Sequence, residues 1–318
     1  MHQMEVKGRR GMTVENKELL CYNFKRCRNH RERLFTLKYY FAAMRPKQWT
    51  KNLFVFAGLI FSRNAFNTDM LPAVTAAFVI FCLLSSAVYL INDIVDVERD
   101  MQHPKKKNRP LAAGKITAGG AWTFAVLLTA AALIGAFILS IHLGALALLY
   151  CGLMLLYSFY IKQFIILDIF TIAAGFVIRV VAGTAVINVY LSPWAVMCTG
   201  FLALFIALGK RRNEIKVLGS GARNHRRALD EYTLPLLDQM ISIVTASTIL
   251  TYFLYTFKTG QGLDSVATVP FVLFGLFRYL YLVYSENSGG SPEEIILTDR
   301  PLQADILLWT VVSMVLIY

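Results

Sequence analysis

The sequence predicts an all-α, polytopic membrane protein of about nine transmembrane helices, and three observations carry that prediction. Of 318 residues, 56% are hydrophobic and only 16% charged, an imbalance typical of membrane-embedded chains rather than of soluble domains. The apolar stretches are long and recurrent, close to the roughly 17–25 residues that a helix needs to cross the hydrocarbon. They are also continuously apolar rather than alternating, which excludes a closed β-barrel, the other architecture that satisfies every backbone group in lipid.

Spans are expected near 50–66, 71–91, 118–140, 143–160, 166–187, 192–209, 238–257, 267–284 and 302–318, the first of them short. Net charge is +12, and its placement says more than its size. Lys and Arg concentrate in residues 1–51, 93–117 and 209–237, whereas 62–70, 141–142, 188–191 and 258–266 carry only Arg63 and Lys258. The positive-inside rule therefore puts the N-terminus and the loops after the even-numbered spans on the cytoplasmic side of the cell membrane. The basic surplus reads as topology and as attraction to anionic headgroups, so no nucleic-acid partner is expected. Residues 1–40 read as a polar, basic cytoplasmic segment, partly disordered or lying on the membrane surface, without the apolar core of a signal peptide. Residues 41–318 read as one transmembrane domain. Cys21, Cys27, Cys82, Cys151 and Cys198 are scattered, which implies neither a disulfide framework nor a zinc site.

The most informative stretch is "YLINDIVDVERDMQHPKKKNRPLAAG", residues 89–114, where an apolar span gives way to four acidic groups and then a basic run. Asp93, Asp96 and Asp100 fall at i, i+3 and i+7, within about 60° of one another on a continuous helix. Carboxylates that close repel unless cations neutralise them. Hard oxygen donors suit Mg²⁺, which usually shares its shell with substrate phosphates, so a metal-bridged diphosphate is the expected guest. Lys105, Lys106, Lys107 and Arg109 follow at once and add phosphate contacts. The competing reading is a solvated loop of mixed charge, but ionisable groups abutting a span are usually functional.

Further bases sit at the same predicted face: Arg45, Lys47 and Lys51 before the first span, Lys162 after the fourth, and Lys210 and Arg211 after the sixth. Such residues serve as topology anchors as readily as ligands. Arg179, eleven residues after Asp168, returns to nearly the same helical face about three turns deeper, where it either binds phosphate or bridges a carboxylate or carbonyls. Asn92 is a candidate for orienting the carboxylates, and Tyr157 for bonding substrate oxygens. Residues 217–235 read as a mobile cytoplasmic lid, Glu214 as a partner for neighbouring arginines, and Asp299 and Arg300 as a pair.

"NDIVDVERD" resembles the NDxxDxxxD motif of the UbiA superfamily of intramembrane prenyltransferases, and the span layout agrees with that family over about residues 40–318. Members that prenylate an aromatic ring mostly carry a second motif of DxxxD type after the fourth span. Here "YSFYIKQFIILDIF" has Tyr157, Lys162 and a lone Asp168 instead. The chain is more similar to the decaprenyl-phosphate phosphoribosyltransferase branch, through "MRPKQWTKN" (44–52), the 92–114 stretch, "IRVVAG" (178–183), "GKRRNE" (209–214) and "PEEIILTDRPL" (292–302). That resemblance implies Mg²⁺-dependent transfer, with Mn²⁺ able to substitute, of 5-phosphoribose from phosphoribosyl diphosphate to a membrane polyprenyl phosphate, feeding arabinan-type cell-envelope precursors. On that reading Asp93, Asp96 and Asp100 hold metal, and Arg45, Lys47, Lys51, Asn92, Lys105, Arg109, Tyr157, Lys162, Asp168, Arg179, Lys210 and Arg211 surround the substrates. A UbiA-type aromatic prenyltransferase is the alternative, and a lipid-phosphate carrier the third; a carrier would show internal repeats or broken midplane helices, and the sequence has no convincing version of either.

The predicted sidedness is directly testable. In a Cys-free background, Lys106→Cys is expected to react with an impermeant thiol reagent only from the cytoplasmic side, and Gly262→Cys only from outside; the opposite pattern requires a different span count.

Overall fold

The computed structural model describes residues 37–104, 106–218, 231–258, 262–285, 295 and 298–318. Lys105, residues 1–36 and most of the predicted 217–235 lid lie outside the described residues. Residues 37–43 are already helical, ahead of the expected boundary at 41. A run of 3-10 helix over Pro46–Phe56 leads into α1 (Ala57–Phe61). There follow α2 (Met70–Val95), α3 (Val97–Gln102), α4 (Ala118–Leu139), α5 (Ile141–Phe159), α6 (Leu167–Val186), α7 (Pro193–Leu218), α8 (Leu234–Lys258), α9 (Val269–Tyr284) and α10 (Arg300–Ile317).

Among the described residues, seven helices are long and apolar enough to cross a membrane: α2, α4 to α8, and Ser265–Tyr284, which contains α9. The two expected spans outside this set are the first and the last. The first predicted span, 50–66, is not a continuous α-helix but an 11-residue 3-10 run and a five-residue α-helix. Hydropathy does not distinguish the two coils. At roughly 2.0 Å and 1.5 Å of rise per residue, the two pieces together still extend about 30 Å, close to the hydrocarbon thickness. The last predicted span, 302–318, is helical as α10, but its first turns carry Arg300, Gln303 and Asp305, and it is not among the seven. Asp299 caps it by accepting the Leu302 N–H at 2.9 Å, with Pro301 in the first turn, the arrangement expected of a helix start.

Two helices form the centre. In α2 and α6, 67% and 61% of the apolar window is buried, against 17% in α4, so α4 faces lipid while α2 and α6 face protein. α2 packs on the 3-10 run, α4, α5 and α6, and α6 packs on the 3-10 run, α5 and α7. Lipid tails are as apolar as leucine, so close van der Waals approach rather than water exclusion holds such helices together. Small residues make the approach possible here: a Cβ on Gly183 of α6 would run into the Val55 carbonyl, and one on Gly58 into Thr184. The 3-10 run is thus wedged between α2 and α6, with Val55, Phe81, Leu84, Leu143 and Ala182 in one core.

The C-terminal end of α2 and the N-terminal end of α6 lie at the same end of the bundle, where Lys162, in the short turn between α5 and α6, reaches Asp96 of α2. The opposite end holds a cavity of about 880 Å³ whose lining includes Phe61, Arg63, Trp194, Tyr252 and Trp309. That cavity is remote from the carboxylates. Substituting Gly183 by Val is expected to destabilise the bundle by about 1–3 kcal/mol or more through overpacking, read as a lowered unfolding temperature in detergent, whereas the same change at Gly152, which has open space around it, is expected to have little effect.

Candidate active site

The three predicted carboxylates are all buried, Asp93 at 3%, Asp96 at 7% and Asp100 at 4% exposure. They do not share one continuous helical face, because α2 ends at Asp96, whose φ of −100° and ψ of 9° leave the α range before α3 begins. The break separates their partners. Asp93 and Asp100 share the Arg109 guanidinium, which lies 3.0 Å from Asp93 and also pairs with Asp100. Asp93 further pairs with Arg45, whose guanidinium rests on the Tyr89 ring. Asp96 turns instead to Lys162, whose ammonium donates to both carboxylate oxygens at 2.7 and 2.8 Å and to the Asn92 amide oxygen at 3.2 Å.

Three carboxylates, Asp93, Asp96 and Asp100, thus meet Arg45, Arg109 and Lys162, and the more exposed Arg99 stands 3.8 Å from Asp96. Lys162 is only 1% exposed, so its charge depends on that company. Burial, with Arg45 beside it, pushes the Arg109 guanidinium below its ordinary range. Two guanidinium groups that share the Asp93 carboxylate repel each other, and an added anion would relieve that repulsion.

A second polar cluster lies beside the first. Arg211 of α7 donates from Nε to Asp168 at 2.6 Å, from one terminal nitrogen to Glu214, and from the other to the Tyr157 hydroxyl at 3.1 Å. Asp168 is completely buried and also accepts from the Tyr232 hydroxyl at 2.9 Å. That hydroxyl receives the backbone N–H of Ile166 at 2.8 Å, at a residue with φ of 69°. Burial, with the Asp168 charge next to it, pushes the Tyr232 hydroxyl up, so it stays a donor. Asp168 and Arg211, both candidates for surrounding substrate, are paired with each other in this structure and join α6 to α7, with Tyr157 at the edge of the same network.

Arg179 makes the bridging kind of contact that was one of its two expected roles. Its guanidinium donates to the Asn52 side-chain oxygen, the Gly175 carbonyl and the Tyr150 hydroxyl, each at 2.7 Å, and lies over the Tyr150 and Phe176 rings. Neutral acceptors in the helix bundle receive its hydrogen bonds. The expected pairing of Asp299 with Arg300 is also replaced: Asp299 takes Arg278 of α9 at 2.8 Å. Of the remaining candidate bases, Lys47 is exposed and Lys51 and Lys210 are half-buried. Asn52, Tyr150 and Tyr232 were not singled out from sequence. A lone Asn entering the apolar run "KNLFVFAGLIF" was a usable signal; for Tyr150 and Tyr232 nothing local sets them apart from span aromatics.

Among the described residues no group of three His, Cys, Asp or Glu side chains is arranged to hold a metal ion. The donors nevertheless fit Mg²⁺ in smaller sets, since that ion commonly takes one or two carboxylates and fills its shell with water and phosphate. Asp93 and Asp100 converge on one cationic nitrogen, and Asp96 with Asn92 on another, so each pair already defines a point where a cation is stabilised.

Residues 52–293 match the UbiA prenyltransferase family profile. The decaprenyl-phosphate phosphoribosyltransferase of Mycolicibacterium smegmatis is 34% identical over 283 residues, covering 84% of this chain and 88% of its own length. The enzyme of that name from Corynebacterium glutamicum is 34% identical over 286 residues, covering 87% and 86%. Among solved structures, a UbiA homolog from Archaeoglobus fulgidus bound to GPP and Mg²⁺ superposes with a TM-score of 0.69 at 17% identity, covering 88% of this chain and 99% of that one.

Removing the carboxylate of Asp168 leaves the buried Arg211 with Glu214 as its acidic partner and leaves Nε and the Tyr232 hydroxyl without their acceptor. Asp168→Ala is expected to cost about 1–3 kcal/mol of stability, and Asp168→Asn, which keeps an acceptor oxygen, less; equal unfolding temperatures for wild type and Asp168→Ala would remove this network from the list of structural supports.

Proposed function

The chain belongs to the UbiA prenyltransferase family, and we propose that it transfers the 5-phosphoribosyl group of phosphoribosyl diphosphate to a membrane polyprenyl phosphate. The observation that carries this reading is that likeness to relatives named decaprenyl-phosphate phosphoribosyltransferase runs through 84% of the chain at 34% identity. The site chemistry agrees with it. The reaction joins two anionic substrates, and bases cluster where a diphosphate would sit. The aromatic-prenylating alternative is less well supported, because the lone acidic residue after α5, Asp168, is already neutralised by Arg211 and Tyr232.

Asp93 with Asp100, and Asp96 with Asn92, are the groups that would hold Mg²⁺, with Mn²⁺ substituting. Bound metal would screen the charge that collects on the diphosphate as it leaves. Arg45, Arg109 and Lys162 hold phosphate oxygens and keep the donor oriented, so that the bond from the anomeric carbon to diphosphate breaks with its electron pair going to the leaving group. An oxygen of the acceptor phosphate then forms the new bond to that carbon. The acceptor is already ionised, so no protein nucleophile or general base is required at that atom. The lipid chain lies among the helices, and the site faces the cytoplasm, where a soluble sugar diphosphate is available. The product, a polyprenyl-phosphoryl-5-phosphoribose, suits synthesis of cell-envelope arabinan-type precursors.

Membranes containing the protein are expected to move label from phosphoribosyl diphosphate into an organic-soluble lipid, in the presence of Mg²⁺ and not in EDTA. Asp93→Asn and Asp96→Asn are each expected to slow the transfer about a hundredfold or more, as loss of a group stabilising the leaving-group charge commonly does. Consumption of an aromatic acceptor and a prenyl diphosphate, with no binding of phosphoribosyl diphosphate at millimolar concentration, would overturn the proposal in favour of ring prenylation.

A further inference from the structure

Arg179 lies within α6, 5% exposed, and among the described residues its hydrogen-bond partners include no carboxylate. Charged groups in such places are costly and are kept for a reason. Its most informative contact is with Asn52, which is completely buried and spans two helices. The Asn52 amide oxygen accepts from Arg179 on α6, while its amide nitrogen donates to Ser85 at 3.2 Å and Cys82 at 3.3 Å on α2. Seven residues earlier, on the same 3-10 run, Arg45 begins the segment at a φ of 53° and pairs with Asp93. Between the two, Trp49 donates to the Ser86 hydroxyl at 3.1 Å, and that hydroxyl reaches the Met44 carbonyl at 3.1 Å.

The segment is therefore stitched to α2 along its length, and Asn52 joins it to α6 by a side-chain hydrogen bond. A 3-10 run holds its hydrogen bonds less well than an α-helix, so its depth and rotation depend on such external ties. A turn of it at Asn52 displaces Arg45 at the other end. We infer that Asn52 and Arg179 are positioning residues: together they set the register of the 3-10 run between α2 and α6, and so place Arg45 on Asp93 for donor binding. The identity of the donor rests on the function proposed above; the mechanical link does not.

The test is a double-mutant cycle on ligand affinity. Binding of phosphoribosyl diphosphate with Mg²⁺ to the purified full-length protein is measured by calorimetry, alongside unfolding temperature. Asn52→Leu and Arg179→Met are each expected to weaken binding about tenfold and to add little to Arg45→Ala, since they act through that residue. Asn52→Asp keeps the acceptor for Arg179 but loses the donors to Ser85 and Cys82, and is expected to weaken binding less than Asn52→Leu does. If Asn52→Leu does not fold, Asn52→Ala and Arg179→Lys make the same comparison. Effects that add fully to Arg45→Ala, or a lowered unfolding temperature with unchanged affinity, would reduce the pair to a brace and overturn the inference. If wild-type protein fails to bind the sugar diphosphate, the donor assignment falls; the cycle repeated with inorganic diphosphate and Mg²⁺ still decides the positioning role.

Discussion

Charge buried within a lipid-embedded bundle must be answered by another group, and here the answers differ from place to place. At the end of α2, three carboxylates are met by bases drawn from the segment before α1, from α3, from the stretch after α3 and from the α5–α6 turn. At the start of α6, Asp168 is matched by Arg211 and a tyrosine hydroxyl. Further along α6, Arg179 is met by neutral acceptors. Each solution ties segments far apart in the chain to one of the two central helices, so the groups that make the site polar are also those that fix its shape. Leaving one partner of such a set unpaired costs more than the set gains over an apolar equivalent, which makes the architecture intolerant of piecemeal change.

How much of this was legible in the sequence follows from what the signals are local to. The helical, membrane-spanning class is written in composition and run length, and the two central helices were read with boundaries close to those observed. Asp93, Asp96, Asp100, Lys162 and Arg45 stood out because charges at the ends of spans are conspicuous, and all five meet in one cluster. Their grouping was not readable: a continuous helix places the three carboxylates together, whereas the break at Asp96 turns one toward Lys162, 66 residues away. Arg179 was seen as anomalous, but its partner Asn52 is 127 residues distant and uncharged. The 3-10 character of Pro46–Phe56 was invisible because an apolar run reads alike for either coil, and the close approach of Val55 to Gly183 is a property of two surfaces, not of one stretch.

The hydrogen bonds of Arg179 also bear on how the chain is made. All of its acceptors, Asn52, Tyr150 and Gly175, precede it in the sequence, so by the time the ribosome delivers α6 the groups that receive the guanidinium already exist in the membrane. Asp168, on the same helix, has the reverse relation, since Arg211 and Tyr232 are synthesised after it. The more deeply placed cation can dock on arrival, while the acid at the helix end, near headgroups and water, waits for later segments. Vectorial synthesis then brings each charge in α6 to its partners in the order that the surrounding solvent makes least costly.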